Sequence, residues 1–193
     1  MNKLTIIVAS ILMFFGATAC GQNTDKAMNE NKTLIAWFSW SGNTEAVVRH
    51  IAGKIGADTF RIERTEAYPT DYNECADAAK KEVDGKVYPA IKGLPNNFEQ
   101  YKNIIVAVPV WWYTAPMPVF TFLEKSGLDF SGKTVIPLCT AYTAEYNTLQ
   151  DIAKVTPDSE HRDGICIVTK EMNAKGIEKS FAKVDSWLAE IGF

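Results

Sequence analysis

Histidine and cysteine are scarce in this chain, and neither is arranged to hold a metal. Among 193 residues there are two histidines, His50 and His161, and four cysteines, Cys20, Cys75, Cys139 and Cys166. No C-x-x-C occurs, so the usual zinc-ligand spacings are missing. The three cysteines beyond Cys20 cannot all pair with one another. Cys139 and Cys166 fall inside apolar runs and read as small hydrophobes. Cationic excess is absent too: Lys+Arg total 20 against Asp+Glu 23, a net charge of −3. That balance argues against a nucleic-acid partner. The Ser39–Thr44 loop has neither the G-x-x-x-x-G-K nor the G-x-G-x-x-G spacing, which sets it apart from the nucleotide P-loop and the dinucleotide fingerprint. No glycine lies between Gly132 and Gly164.

Long apolar runs are also few. Leu4 to Phe15 follows a single cation, Lys3, and leads into Gly16-Ala17-Thr18-Ala19. The run is shorter than the roughly 20 residues a membrane span needs. Its three-part layout is that of a secretory signal over residues 1–19. Cys20, directly after an A-x-A site, resembles a bacterial lipobox cysteine, although Ala17 stands where a large aliphatic residue is usual. Cys20 is therefore the expected lipidation site. The polar stretch at 20–32 reads as a flexible tether. Export to the periplasm or cell envelope, with lipid attachment to a membrane, is the resulting expectation, and residues 33–193 form a single domain.

Within that domain, apolar runs of strand length alternate with segments of helical period. Strands are expected at Thr33–Trp40, Thr59–Arg64, Asn103–Val110, Thr134–Thr140 and Gly164–Thr169. Helices are expected at Asn43–Ile55, Tyr72–Val83, Pro118–Lys125, Thr148–Val155 and Ala174–Ile191. Five strands alternating with five helices predict an α/β three-layer sandwich with a five-stranded parallel sheet. The second strand alternates apolar and charged residues and so belongs at an edge. The continuous apolar strands are covered on both faces. That matches the order 2-1-3-4-5, in which ligands bind beyond the carboxyl ends of the strands near the switch point.

The loops at those ends hold the candidate site. The first is Ser39-Trp40-Ser41-Gly42-Asn43-Thr44, running straight into a helix. Its hydroxyls and amide, with the helix N-terminus, suit a phosphate held by neutral donors. The second is Pro109-Val110-Trp111-Trp112-Tyr113. In extended chain the two tryptophans project in different directions, so at least one is available to a flat ligand. The third, Thr140-Ala141-Tyr142 through Glu145, lacks glycine. No acid–base pair or nucleophile accompanies these loops. A phosphoacceptor site would need acids where Ser39 and Val110 stand. A phosphatase loop would need Arg six residues after Cys139, where Glu145 stands.

Ser39-x-Ser41-Gly42-Asn43-Thr44 after a first strand resembles the phosphate loop of flavodoxins, and P-V-W-W-Y-T-A-P-M-P resembles their second loop. The resemblance covers nearly all of residues 33–193. It implies a flavodoxin-like fold with FMN as cofactor. Ser39, Ser41, Asn43 and Thr44 would donate to the phosphate. Trp111 or Trp112 would stack on the ring, with Tyr142 or Tyr146 able to cover its other face. The third loop departs from the family's Gly- and Ser-rich pattern, and Ala141 and Tyr142 stand about where glycines are expected. Glu145, the one acid there, would lower the flavin potential if it lay near the ring. The implied function is electron transfer with a redox partner protein. An FMN-dependent NAD(P)H:quinone-type reductase and a flavin-free binding module remain as alternatives.

Overall fold

The computed structural model of the chain describes residues 32–170 and 176–193. The expected signal segment, the tether up to residue 31, Cys20 and the first two residues of the last expected helix lie outside them. In chain order the elements are β1 (Thr33–Trp37), α1 (Asn43–Ile55), β2 (Asp58–Arg61), α2 (Tyr72–Gly85), β3 (Asn103–Pro109), α3 (Met117–Phe120), β4 (Thr134–Ala141), α4 (Thr148–Lys154), β5 (Glu160–His161), β6 (Ile165–Val168) and α5 (Phe181–Glu190). A 3-10 turn at Ile177–Ser180 leads into α5, and a wide turn at Thr121–Lys125 continues α3. All the strands pair in parallel, in the order β2-β1-β3-β4-β5, with β6 also on β4.

The fifth strand expected from the sequence, Gly164–Thr169, is β6, and a two-residue strand the sequence did not suggest, β5, precedes it on the same side of β4. Between Val135 and Leu138, β4 advances three residues, while its partners advance four, from His161 to Ile165. The extra residue is a bulge. Gly164 makes the bulge possible, because a Cβ there would sit 2.5 Å from the Pro137 carbonyl oxygen.

Alternation along the strands divides the core into two layers. Leu34, Ala36, Ile104, Val106, Val135 and Cys139 face one way, towards Ala79 of α2, Val119 of α3 and Ile152 of α4. Ile35, Trp37, Ile105, Ala107, Ile136, Leu138, Ile165 and Ile167 face Val47, Val48 and Ile51 of α1 and Val184, Trp187 and Leu188 of α5. In α1 the spacing of Thr44, Val47, Val48 and Ile51 places the buried residues on one stripe. Only Phe60 of β2 is even half-buried, as an edge strand requires.

Candidate functional site

Strands 1, 3 and 4 end together, and three loops leave them. Hydrogen bonds knit these loops. The Thr44 and Thr140 hydroxyls meet at 2.7 Å in a buried position. The Val110 N–H donates to the Thr140 carbonyl at 2.9 Å, and the Asn147 N–H donates to the Tyr113 carbonyl at 3.1 Å. The Thr114 hydroxyl donates to Asp151 Oδ2 at 2.6 Å. The loops are thus one rigid surface.

The first loop turns into α1 at Gly42, whose φ of 92° is left-handed and suits glycine. The Gly42 N–H donates to the Ser39 hydroxyl at 3.1 Å. The first intrahelical bond runs from the Ala46 N–H to the Gly42 carbonyl. The N–H groups of Asn43, Thr44 and Glu45 precede it, and no side chain caps them. Ser41 and Asn43 are exposed beside this helix mouth, whereas Ser39 and Thr44 are buried. An open N-terminus ringed by neutral donors favours an anion.

The second loop is strained. Trp111 and Thr114 exchange both backbone hydrogen bonds, at 2.8 and 3.1 Å, closing a tight turn. Its two central residues, Trp112 and Tyr113, have φ of 48° and 68°. Asn and Gly normally fill such positions. Large aromatic rings there cost about 1–2 kcal/mol each, and strain of this kind gathers at functional sites. The two tryptophans do diverge. Trp111 packs inward, edge-on to Phe38 (5.4 Å) and Tyr68 (5.1 Å). Trp112 is exposed, held by a 2.9 Å bond from its Nε1 to the Ala76 carbonyl and by Lys80 Nζ 5.1 Å from its ring.

Between the second and third loops and α2 lies a cavity of about 380 Å³, lined by Trp40, Tyr72, Cys75, Ala76, Ala79, Val110, Trp111, Trp112, Tyr113, Tyr142, Thr143, Ala144 and Tyr146. Trp40, Tyr72, Trp112, Tyr113, Tyr142 and Tyr146 are all exposed. Tyr146, with φ of 49°, stands edge-on to Tyr113 at 4.9 Å. Among the described lining residues the only ionisable groups are the tyrosines and Cys75, whose thiol is pushed up by burial.

Of the residues expected at the site, Trp40, Val110, Trp111, Trp112, Tyr113 and Tyr142 meet in this cavity. Ser39, Ser41, Gly42, Asn43 and Thr44 form the adjoining helix mouth. Pro109 ends β3, and Thr140 and Ala141 are buried in β4. The backbone at Ala141 is already bonded. Its carbonyl accepts from the Thr169 N–H (2.7 Å), and that of Tyr142 from the Lys170 N–H (3.0 Å). That part of the backbone is turned towards β6, while Tyr142, Thr143, Ala144 and Tyr146 line the cavity. Glu145 is not among the lining residues; it borders a second cavity with Cys166 and Lys183. The sequence reading missed the contribution of α2. Tyr72, Ala76 and Ala79 recur at helical spacing, an aromatic and two small residues on one face, and that pattern was the available signal.

Comparison with known proteins places this geometry. No curated protein matches the chain. Among solved structures, a protein of Bacteroides eggerthii assigned as a flavoprotein is 26% identical, with a TM-score of 0.69, over 84% of this chain and 98% of its own. One of Bacteroides uniformis, similarly assigned, is 26% identical with a TM-score of 0.67, covering 80% and 98%. A Lactobacillus acidophilus flavoprotein solved in complex with FMN is 20% identical with a TM-score of 0.64, covering 81% and 98%. The family model described as Flavodoxin matches residues 32–186, most of the chain, and with the sheet order and loop arrangement above it shows that this chain belongs to the flavodoxin family.

Proposed function

We propose that the chain binds FMN at the carboxyl end of its sheet and works as an electron-transfer protein. The observation that carries this reading is the pairing of an uncapped α1 N-terminus with an aromatic-walled cavity beside it. The N–H groups of Asn43, Thr44 and Glu45, with the side chains of Ser39, Ser41 and Asn43, hold the phosphate. Thr44 and Thr140 fix the loop that does so. Trp112, Tyr113 and Tyr142 wall the ring, and Trp111 braces the turn that presents them. Aromatic stacking of this kind is worth about 0.5–1.5 kcal/mol beyond burial. Bound FMN supplies the electron chemistry. The residues around it bind, orient and exclude water, which fits walls that carry neither a carboxylate nor an amine.

The test is titration of the full chain with FMN and with riboflavin, followed by flavin fluorescence. FMN is expected to bind and riboflavin to bind about a hundredfold more weakly, the equivalent of one or two charge-assisted hydrogen bonds. Equal affinity, or no binding of either, overturns the reading. Oxidation of NAD(P)H by the loaded protein alone moves it from carrier to reductase. We read residues 1–19 and Cys20 as an export signal and lipid attachment point. Loss of the chain from the membrane fraction on Cys20→Ser tests that part separately.

A further inference from the structure

At the sheet's far edge two cysteines stand in cross-strand register. Cys139 of β4 pairs with Cys166 of β6. Their neighbours Leu138 and Ile165, also in register, point to the opposite face, so both thiols lie on the α4 side. Adjacent strands run about 4.7–4.9 Å apart, inside the roughly 4.4–6.8 Å range of Cα separations that a disulfide spans. The two thiols differ sharply in exposure. Cys139 is fully buried with Ile152, while Cys166 is half-buried and borders an open cavity of about 470 Å³ with Glu145, Leu149, Lys183 and Trp187. Lys183 Nζ donates to the Cys166 carbonyl at 3.0 Å, which brings a cation to the same residue.

We propose that Cys166 and Cys139 form a dithiol site for exchange with a small disulfide of the glutathione class. One reachable sulfur beside one unreachable sulfur is the arrangement of an attacking and a resolving thiol. In the first step the Cys166 thiolate attacks one sulfur of the disulfide R–S–S–R. That S–S bond breaks, R–S⁻ leaves and takes up a proton, and Cys166 carries a mixed disulfide. In the second step Cys139 loses its proton and its sulfur attacks Cys166. The second R–S⁻ leaves as R–SH. The two protein thiols give up two electrons, and the external disulfide becomes two thiols.

The surroundings support these roles. The adjoining Cys139 thiol holds the Cys166 thiol below its ordinary range, and Lys183 acts in the same direction, against burial and Glu145. The Cys166 thiol beside it, together with burial, pushes Cys139 up, so Cys139 does not compete as the attacking group. Cys75, buried and pushed up by burial, provides an internal comparison. The site stands apart from the aromatic cavity, and its test does not depend on flavin.

The full chain, reduced and then exposed to oxidised glutathione at neutral pH, is analysed by peptide mass spectrometry. The expected product is a Cys139–Cys166 disulfide with no glutathione retained on either residue. Cys139→Ser is expected to keep one glutathione on Cys166, and Cys166→Ser to keep none on Cys139. The unsubstituted chain alone can overturn the proposal, so misfolding of a variant does not shelter it. Cys166 reacting no faster than Cys75, or holding glutathione that Cys139 never displaces, sinks it.

Discussion

The two ends of the sheet are built on opposite principles. At the carboxyl end, backbone strain and exposed aromatics are concentrated: Trp112, Tyr113 and Tyr146 all have positive φ, and none is buried. At the amino end, polar groups are drawn inward and tied. Lys133 is buried and donates to the carbonyls of Phe98 (3.2 Å), Glu99 (3.4 Å) and Tyr101 (2.7 Å), with its Nζ 4.8 Å from the Phe98 ring. Tyr101, itself buried, donates to Asp58 at 2.8 Å, and Lys32 Nζ lies 2.7 Å from the same carboxylate oxygen. One end holds groups ready for a ligand, and the other has satisfied its groups internally. A fold can carry strain where it binds because it is locked where it does not.

The largest effect that sharpens this contrast is expected at Lys133. Lys133→Met keeps the volume and removes the donor, leaving buried carbonyls without their partner. The expected loss is about 2–4 kcal/mol of unfolding free energy, read from denaturant midpoints at constant m-value. FMN affinity of the folded protein should not change. A fall in affinity that exceeds the fall in stability would mean that the two ends are energetically coupled.

Next in size is a substitution that separates strain from binding. Trp112→Asn combined with Tyr113→Gly places the residues favoured by the turn at its two central positions. It relieves two left-handed aromatic conformations but gives up the Trp112–Ala76 hydrogen bond. The expected net is a gain of about 1 kcal/mol in stability. FMN is expected to bind at least about tenfold more weakly, the value of one lost aromatic contact. A variant that is less stable and binds unchanged shows that the rings serve packing, and the contrast between the ends fails.

How much of this was legible beforehand also differs between the ends. The buried strands and α1 announce themselves, because continuous apolar runs and a 3.6-residue stripe follow directly from double-sided and single-sided burial. α1 begins and ends where the sequence places it, at Asn43 and Ile55. The order of the sheet follows from the alternation at Thr59–Arg64. The bulge between β5 and β6 does not show locally. It depends on how closely Gly164 approaches Pro137, a contact between residues distant in sequence. The first two loops are legible as motifs. What escapes is which of their side chains turn inward: nothing local distinguishes Trp111, braced by Phe38 and Tyr68, from Trp112. Nor can spacing reveal that the cavity's remaining wall is α2, or that Glu145 faces the edge of the sheet.

The smallest expected effect lies in pH dependence at the tied end. The hydrogen bonds of Lys32 and then of Tyr101 hold the Asp58 carboxyl below its ordinary 3.8. A carboxylate whose folded pKa is depressed adds stability above its unfolded value and loses it as pH falls through the folded one. The opposite limb belongs to Tyr101, which burial, and then Asp58, pushes up from 10.0 to about 12. There the folded state keeps a proton that the unfolded chain releases, so stability declines as pH rises between those values. Asp58→Asn removes this carboxylate's share of the acid-side slope below about pH 4 and softens the alkaline one, since burial alone then holds the Tyr101 pKa up. Asp58 is half-exposed and screened, so the change should be a shallow flattening of unfolding midpoints at both extremes, with the neutral plateau almost unmoved. The Trp112→Asn, Tyr113→Gly variant leaves Lys32, Asp58 and Tyr101 in place and should retain that slope in full. If that variant loses it instead, the amino end is not locked independently of the site it supports.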